Sequence, residues 1–338
     1  MRSGLAALLF FISILAAAAP VRARGGENLA TTERLLAWMY DYRKAPKPQQ
    51  VPEAVDNMKK LGLLVDQEKA GFIIGFLAGV LHENPRSAPS IVRKLFPMPP
   101  KEQAVIIKAI AYSGLPNWPD LLKQVAPKMP ERKILIDEFL SGGAPTLMTV
   151  PLDSGTPVIY TLWGFYVATG DYEPVTRIIT ALQWSKDKTE KDRSFREWVS
   201  DAFTSETVNV DLVTIGGTAK WTLVSYAERD RHLIDYYRVV LDYQPEGQTA
   251  QLAQVIEAAE RFEAERVRKE EYASIEEAKI AAMKQGTGFS KAATAGQIAI
   301  ATGCVTANAL GAFVVGAACV VTGAVYTGAV KLRENAQQ

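Results

Sequence analysis

The chain has 338 residues, with 38 basic against 37 acidic side chains, a formal net charge of +1 and 48% hydrophobic residues. This hydrophobic fraction is typical of a folded protein rather than a disordered one, and the length allows one large domain or two smaller ones. The balanced charge argues against a nucleic-acid partner, because proteins that bind nucleic acid usually carry a strongly basic face.

Residues 1–23 have the three parts of a secretory signal peptide. A short basic leader at residues 1–4 precedes an apolar core at residues 5–18, and Val21-Arg22-Ala23 supplies a small-residue cleavage site. The alternative is an uncleaved membrane anchor, but the apolar core is short and Pro20 follows it. We therefore predict that the protein is exported to the periplasm.

Residues 24–245 show the periodicity of amphipathic helices almost throughout, and a helix, a polar turn and a second helix recur. The repeated units are residues 77–95, 106–125, 158–182 and 221–243, with turns at residues 84–85, 114–119, 169–171 and 229–230. Their spacing is uneven, unlike that of arrays with a fixed period. We predict an all-α fold in which helix pairs form an irregular, α-solenoid-like stack. A plain globular helical bundle is the alternative.

Residues 70–81 form an unbroken apolar run in which Gly71, Gly75 and Gly79 recur at steps of four. The run is too short to cross a bilayer. We predict a buried helix that packs closely against a neighbour through its glycines.

Residues 246–287 differ in composition from the helical body. Residues 248–285 are nearly all good helix formers, and Glu257 and Arg261 stand in the i,i+4 order that supports a helix. Between residues 263 and 271 the charged side chains lie almost all round the helix, and such helices usually run through solvent. We predict a charged stalk helix that joins the body to the C-terminal tail.

The C-terminal segment, residues 288–338, includes residues 292–330, which contain no charged side chain and no proline. That stretch is too long for one membrane span of about 20 residues. Small residues recur at helical spacing in two stripes, which lets two helix backbones approach closely. The packing residues are Gly296, Gly303, Ala307, Gly311, Gly316 and Gly323. We predict a glycine- and alanine-rich helical hairpin that associates with a membrane.

Cys304 and Cys319 are the only cysteines, and they lie symmetrically about Gly311 and Ala312. A hairpin that turns at this point brings the two sulfur atoms together. A disulfide needs Cα atoms about 4.4–6.8 Å apart, which glycine-lined helices allow, and export permits its oxidation. We therefore predict a Cys304–Cys319 disulfide.

Three arrangements of this tail remain open from the sequence. They are a membrane hairpin, a single span over residues 309–330, and a buried or self-associating hairpin outside lipid. Lys331 and Arg333 follow the apolar stretch, and basic residues prefer the cytoplasmic side. They favour a single pass with a cytoplasmic tail, or a hairpin that inserts only shallowly.

No familiar catalytic, cofactor-binding or metal-binding constellation is present in the sequence. His82 and His232 are far apart in the chain and do not have the spacing of metal ligands. Residues 216–220 superficially suggest a phosphate-binding loop, but its first glycine is missing and Trp221 replaces the Ser or Thr that would hold magnesium. The carboxylate pairs at residues 137–138 and 171–173 fit helix capping better than acid–base chemistry.

Residues 162–171, Leu-Trp-Gly-Phe-Tyr-Val-Ala-Thr-Gly-Asp, form the most distinctive local string of the chain. Together with residues 220–224, Lys-Trp-Thr-Leu-Val, this string resembles a family of uncharacterised exported α-helical proteins of proteobacteria. The resemblance covers about residues 29–244 and implies export and a helical fold. It implies no activity.

These features lead us to predict a non-enzymatic helical scaffold or protein-binding module of the cell envelope, without a cofactor. Residues 292–330 would hold it to a membrane, the inner membrane first, and its concave helix-pair surfaces would bind a protein or peptide. The glycine stripes could also join copies of the chain. The alternative is a membrane-active, pore-forming-like protein that acts through the apolar hairpin, and an enzyme of unrecognised type is a third hypothesis.

Overall fold

The computed structural model describes residues 29–66, 70–185, 210–243 and 246–285, and within these ranges it consists of helices, turns and loops without a β-strand. The thirteen α-helices of the described ranges are α1 (Thr32–Asp41), α2 (Val51–Lys60), α3 (Gly71–Glu83), α4 (Ala88–Lys94), α5 (Gln103–Ala111), α6 (Trp118–Val125), α7 (Lys133–Leu140), α8 (Thr156–Thr169), α9 (Glu173–Thr180), α10 (Val210–Arg229), α11 (His232–Leu241), α12 (Glu246–Glu260) and α13 (Ala264–Gln285). The prediction of an all-α fold is confirmed.

The turns predicted from polar and helix-breaking residues lie between helices of the structure. They separate α3 from α4, α5 from α6, α8 from α9, and α10 from α11. Gly170 ends α8 in the left-handed conformation, with φ of 79°, which glycine adopts without a steric penalty. Pro174 then stands in the first turn of α9, where its missing N–H is not needed.

Helices α3 and α8 form the tightest contact of the fold, because glycine lets their backbones touch. A Cβ added to Gly75 would lie 1.8 Å from the carbonyl oxygen of Thr161, and one added to Gly164 would lie 2.0 Å from that of Phe72. The close packing predicted from the glycine spacing of residues 71–79 is confirmed. Phe76 of α3 and Trp163 of α8 are fully buried and contact other helices, Phe76 the ring of Trp38 in α1 and Trp163 the ring of Tyr226 in α10.

The contacts between the described helices link most of them in sequence. Helix α3 contacts α5 and α8, α8 contacts α10, and α10 contacts α12 and α13. The helices α6, α9 and α11 each contact the helix that precedes them. One continuous apolar cluster extends through these helices, from Leu35 of α1 to Val267 of α13.

The predicted stalk is wrong for the described residues. A single solvent-exposed helix was expected over residues 248–285, and the structure instead has two helices, α12 and α13. The chain turns between them at Phe262, whose φ is 57°. Both helices pack against the body, because Leu252 and Val255 of α12 and Val267 of α13 are buried. The prediction assumed that all charged residues of α13 face solvent, but one of them has a buried partner in the body.

Within the ranges that the structure describes, no helix combines the length and apolarity required to span a bilayer. The predicted signal peptide at residues 1–23 and the predicted tail at residues 288–338 lie outside those ranges.

Candidate functional site

The residues that suggested a phosphate-binding loop lie in the middle of α10 rather than in a loop. Gly216 and Gly217 serve close packing on two different sides of that helix. A Cβ on Gly216 would lie 2.3 Å from the backbone nitrogen of Ser185, and one on Gly217 would lie 3.3 Å from the Cβ of Glu271. A helix in this position offers its N–H groups to its own backbone, so these residues do not form an anion cradle.

Lys220 is the centre of a buried polar network, and only 1% of its side chain is exposed. Its Nζ donates to Oε1 of Gln251 at 2.9 Å and to Oε1 of Gln254 at 2.8 Å. The same nitrogen lies 3.1 Å from Oε1 of Glu271, whose side chain is 8% exposed. Ser185 Oγ donates to Oε1 of Gln251 at 3.1 Å. We call these five residues the Lys220 network.

The Lys220 network satisfies the lysine completely, because an ammonium group has three N–H donors and each has an acceptor here. A buried charge is tolerated only when it is paired and hydrogen-bonded. The three acceptors come from two different helices, α12 and α13. The network therefore ties both C-terminal helices to α10, and its lysine is enclosed by the protein's own groups rather than presented to a ligand.

Sequence reasoning missed this network. Lys220 was considered only as part of a phosphate-loop lookalike, and Glu271 only as one charge on a solvent-exposed helix. A signal was present, because Lys220 is the only charged residue between Asp211 and Glu228. A lone charge inside an apolar helical run requires a partner from elsewhere in the fold.

A second polar junction surrounds Asp230 in the turn between α10 and α11. Its Oδ2 accepts hydrogen bonds from the hydroxyl of Tyr166 at 2.8 Å and from Nη2 of Arg43 at 2.7 Å. Its Oδ1 accepts from the backbone N–H of His232 at 3.2 Å. Burial alone would raise the pKa of Asp230, but the donors Tyr166 and Arg43 outweigh it and hold the pKa below its ordinary value. This Asp230 junction joins α8, the turn after α1, and the α10–α11 turn.

Aromatic rings extend the Asp230 junction toward α1. Trp163 stacks on Tyr226 with ring centroids 4.0 Å apart, and the hydroxyls of Tyr40 and Tyr226 lie 3.2 Å apart. Burial raises the pKa of Tyr226 well above its ordinary value, and it also raises the pKa of Tyr166. These phenols remain protonated at neutral pH, so they act as neutral hydrogen-bonding groups that hold α1, α8 and α10 together.

The other polar residues considered in the sequence serve local structure. Nδ1 of His82 lies 2.9 Å from the carbonyl oxygen of Ser113, and Oδ1 of Asp171 accepts from the N–H of Glu173 at 2.9 Å. Asp137 pairs with Lys133 one turn earlier on α7. Within the described ranges, no group of three or more His, Cys, Asp or Glu side chains is placed to hold a metal ion.

The predicted residues of the tail lie outside the described ranges, so the predicted disulfide and packing stripes stay predictions. These residues are Cys304, Cys319, Gly296, Gly303, Ala307, Gly311, Gly316 and Gly323.

The described ranges thus define an all-α protein in which buried Lys220 joins α12 through hydrogen bonds and α13 through an ion pair. No family model matches the chain, and no curated protein and no solved structure is found to be similar to it. The function must therefore be argued from the residues themselves.

Proposed function

We propose that the protein is an exported helical scaffold or protein-binding module of the cell envelope, tethered to a membrane by its tail. One observation carries this proposal. Helix α13 docks on the body through the Lys220–Glu271 ion pair, and the structure describes it as far as Gln285, shortly before the uncharged residues 292–330 begin. A membrane segment at that position would be joined to the folded body by a docked helix rather than by a free linker.

The finer architecture belongs to the same proposal. The successive contacts of α5 with α3, of α3 with α8, of α8 with α10 and of α10 with α13 support an irregular stack of helix pairs, to which α6, α9 and α11 would contribute the second helices. Stacked helix pairs create extended surfaces that bind proteins and peptides. The overall charge of +1 gives no attraction for nucleic acid.

The N-terminal signal and the resemblance of residues 162–171 and 220–224 to exported helical proteins support a periplasmic location. The apolar tail supports attachment to the inner membrane, through a hairpin of residues 292–330 closed by a Cys304–Cys319 disulfide. The competing arrangements are a single span over residues 309–330 and a self-associating hairpin outside lipid.

Membrane fractionation with carbonate extraction tests the tether. We expect the full-length protein to stay in the membrane pellet after extraction, because spanning segments resist alkaline washing. The matched variant ends at Gln285 and keeps every described helix, so we expect it to be released to the supernatant. A full-length protein found wholly in the soluble fraction would refute the tether.

Crosslinking in intact cells tests the binding part of the proposal. Val239 on α11 and Tyr243, two residues after the end of that helix, are 60% and 83% exposed, which makes them suitable positions for a photoreactive residue. Ile134 on α7 is 87% exposed and serves as the control position. We expect one discrete adduct from positions 239 and 243. If none of the three exposed positions gives an adduct, the result would count against a protein partner.

Leakage of dye from liposomes treated with the full-length protein would favour the pore-forming alternative.

A further inference from the structure

We propose that α13 is a strap that detaches from α10 as a unit while the rest of the helical body stays folded, and that the Lys220–Glu271 ion pair controls this release. The proposal concerns a conformational change within the described helices. It does not depend on whether the tail enters a membrane.

The first support is the way in which α13 docks. Oε1 of Glu228, near the end of α10, accepts a hydrogen bond from the N–H of Ala264 at the start of α13, at 2.8 Å. Farther along, Glu271 meets Lys220, and the side chain of Ile275 lies beside Gly217. The two helices are therefore antiparallel. Helix α10 is the main partner of α13, and α12 makes a smaller contact.

The second support is the composition of the docked face. Among its buried residues are Glu271, Ser274 and Lys279, alongside the small Ala264 and Ala278 and a single buried valine, Val267, while Tyr272 and Ile275 are half-buried. The fully buried side chains are therefore mostly polar or small, whereas apolar area is the main source of helix-docking energy. The contrast with α8 is large, because α8 buries Trp163, Phe165 and Ile159 against its neighbours.

The third support is the state that Lys220 would have after release. When α13 leaves, Lys220 keeps two acceptors, Gln251 and Gln254 of α12, and loses only Glu271. The carboxylate of Glu271 then regains its hydration, which offsets much of the lost attraction. Lys220 would then face water on the side that α13 had covered, so its charge would be hydrated there and held by two amide oxygens, and the rest of the body has no reason to unfold with α13.

The fourth support is the turn that would act as the hinge. Phe262 has a left-handed backbone with φ of 57°, which disfavours side chains other than glycine and asparagine. This conformation joins α12 to the docked α13, and it can relax once α13 is free. The 22 described residues of α13 form a helix about 33 Å long. Its release would therefore change the distance between the rest of the body and Gln285.

Hydrogen exchange followed by mass spectrometry on the full-length protein tests the strap. We expect amides of α13 to exchange at least about tenfold faster than those of α8, since units with few apolar contacts open locally. The variant Glu271→Gln should accelerate exchange in α13 by a further factor of about ten, with α8 unchanged. The control Asp137→Asn breaks an exposed ion pair on α7 and should change neither helix.

A double variant keeps the test decisive if a single substitution disturbs folding. Exchanging the two partners, Lys220→Glu with Glu271→Lys, keeps one charge of each sign at this position, and the amides of Gln251 and Gln254 can turn to donate from Nε2 to the new carboxylate. We expect this variant to restore the protection of α13. Equal exchange of α13 and α8 in the wild type, or loss of protection in both helices together in Glu271→Gln, would overturn the proposal.

Discussion

The seam between α3 and α8 gives a sharp test of how the body is held together. The substitution Gly75→Ala adds one methyl group in a helix, which in an exposed helix would stabilise by about 1 kcal/mol. Here the added Cβ would lie 1.8 Å from the carbonyl oxygen of Thr161 and 2.9 Å from the backbone nitrogen of Phe165. Both obstacles are backbone atoms, so no side chain can rotate away.

The magnitude follows from the separation that the methyl group requires. Ordinary Cβ contacts begin at 3.4 Å, so the two helices must move apart by roughly 1.5 Å. A gap of 0.5–1 Å already forfeits about a quarter to a half of each van der Waals contact. Because Phe76 and Leu77 of α3 and Leu162 of α8 are buried in the core cluster, their packing must shift with the helices, and we expect a destabilisation of about 4 kcal/mol, at the upper end of overpacking effects.

Urea unfolding followed by far-ultraviolet circular dichroism measures this effect as a shift of the midpoint. The matched control is Gly217→Ala, which makes the same change in another buried helix but meets its first obstacle, a side-chain atom of Glu271, at 3.3 Å. We expect the control to lie within about 1 kcal/mol of the wild type. If Gly75→Ala unfolds at the same urea concentration as Gly217→Ala, the inference that the α3 and α8 backbones touch is wrong.

Three further predictions follow from the polar groups and the turns. Because the folded pKa of Asp230 is depressed, its stabilisation is present above its unfolded pKa near 4 and is lost as the pH falls through the folded value. Asp230→Asn should therefore narrow the difference between the unfolding midpoints at pH 5 and pH 3, and an unchanged difference would contradict the role of this carboxylate. Burial raises the pKa of Tyr42 to about 12, so the folded state loses stability as the pH rises above about 10. In an alkaline titration, the absorbance at 295 nm that reports tyrosine ionisation should therefore change together with the circular dichroism that reports helicity. Complete tyrosine ionisation without loss of helicity would refute the burial of the Tyr42 phenol. Phe262→Gly should be about 1 kcal/mol more stable than Phe262→Ala, because both lose the ring that Arg231 covers and only glycine relieves the left-handed backbone; equal thermal midpoints would show that this conformation is not strained.

Local features of the fold could be predicted from the sequence because they depend on neighbouring residues. Thr31 caps the first helix, since its hydroxyl accepts a hydrogen bond from the N–H of Arg34 at 3.4 Å, and Thr is among the residue types preferred at this position. The turn at Gly170 and the buried helix at residues 70–81 were recognised from residue types and periodicity alone. In each case the physical cause acts within one or two helical turns, so the sequence contains it directly.

The polar junctions could not be predicted, because each joins residues that are distant in the chain. Arg43, Tyr166 and Asp230 meet only after α1, α8 and α10 have packed. The break between α12 and α13 was missed for a different reason. No glycine or proline marks it, and Phe262 adopts a conformation that its residue type disfavours. The predicted stalk failed because composition alone does not show which charges acquire a buried partner.

Helix α10 shows why a glycine pair and a buried lysine occur so close together in one sequence. Gly216 lets the turn at Ser185 reach one side of the helix, and Gly217 lets α13 approach another side. On that side the carboxylate of Glu271 lies 3.1 Å from Lys220, and it is the one charged acceptor of the lysine, since the other two are amide oxygens. A helix that carries a buried charge can dock on an apolar body only where that charge is paired. Gly216 therefore sets how closely the turn at Ser185 approaches α10, and Lys220 supplies the charged contact for α13 on the same helix.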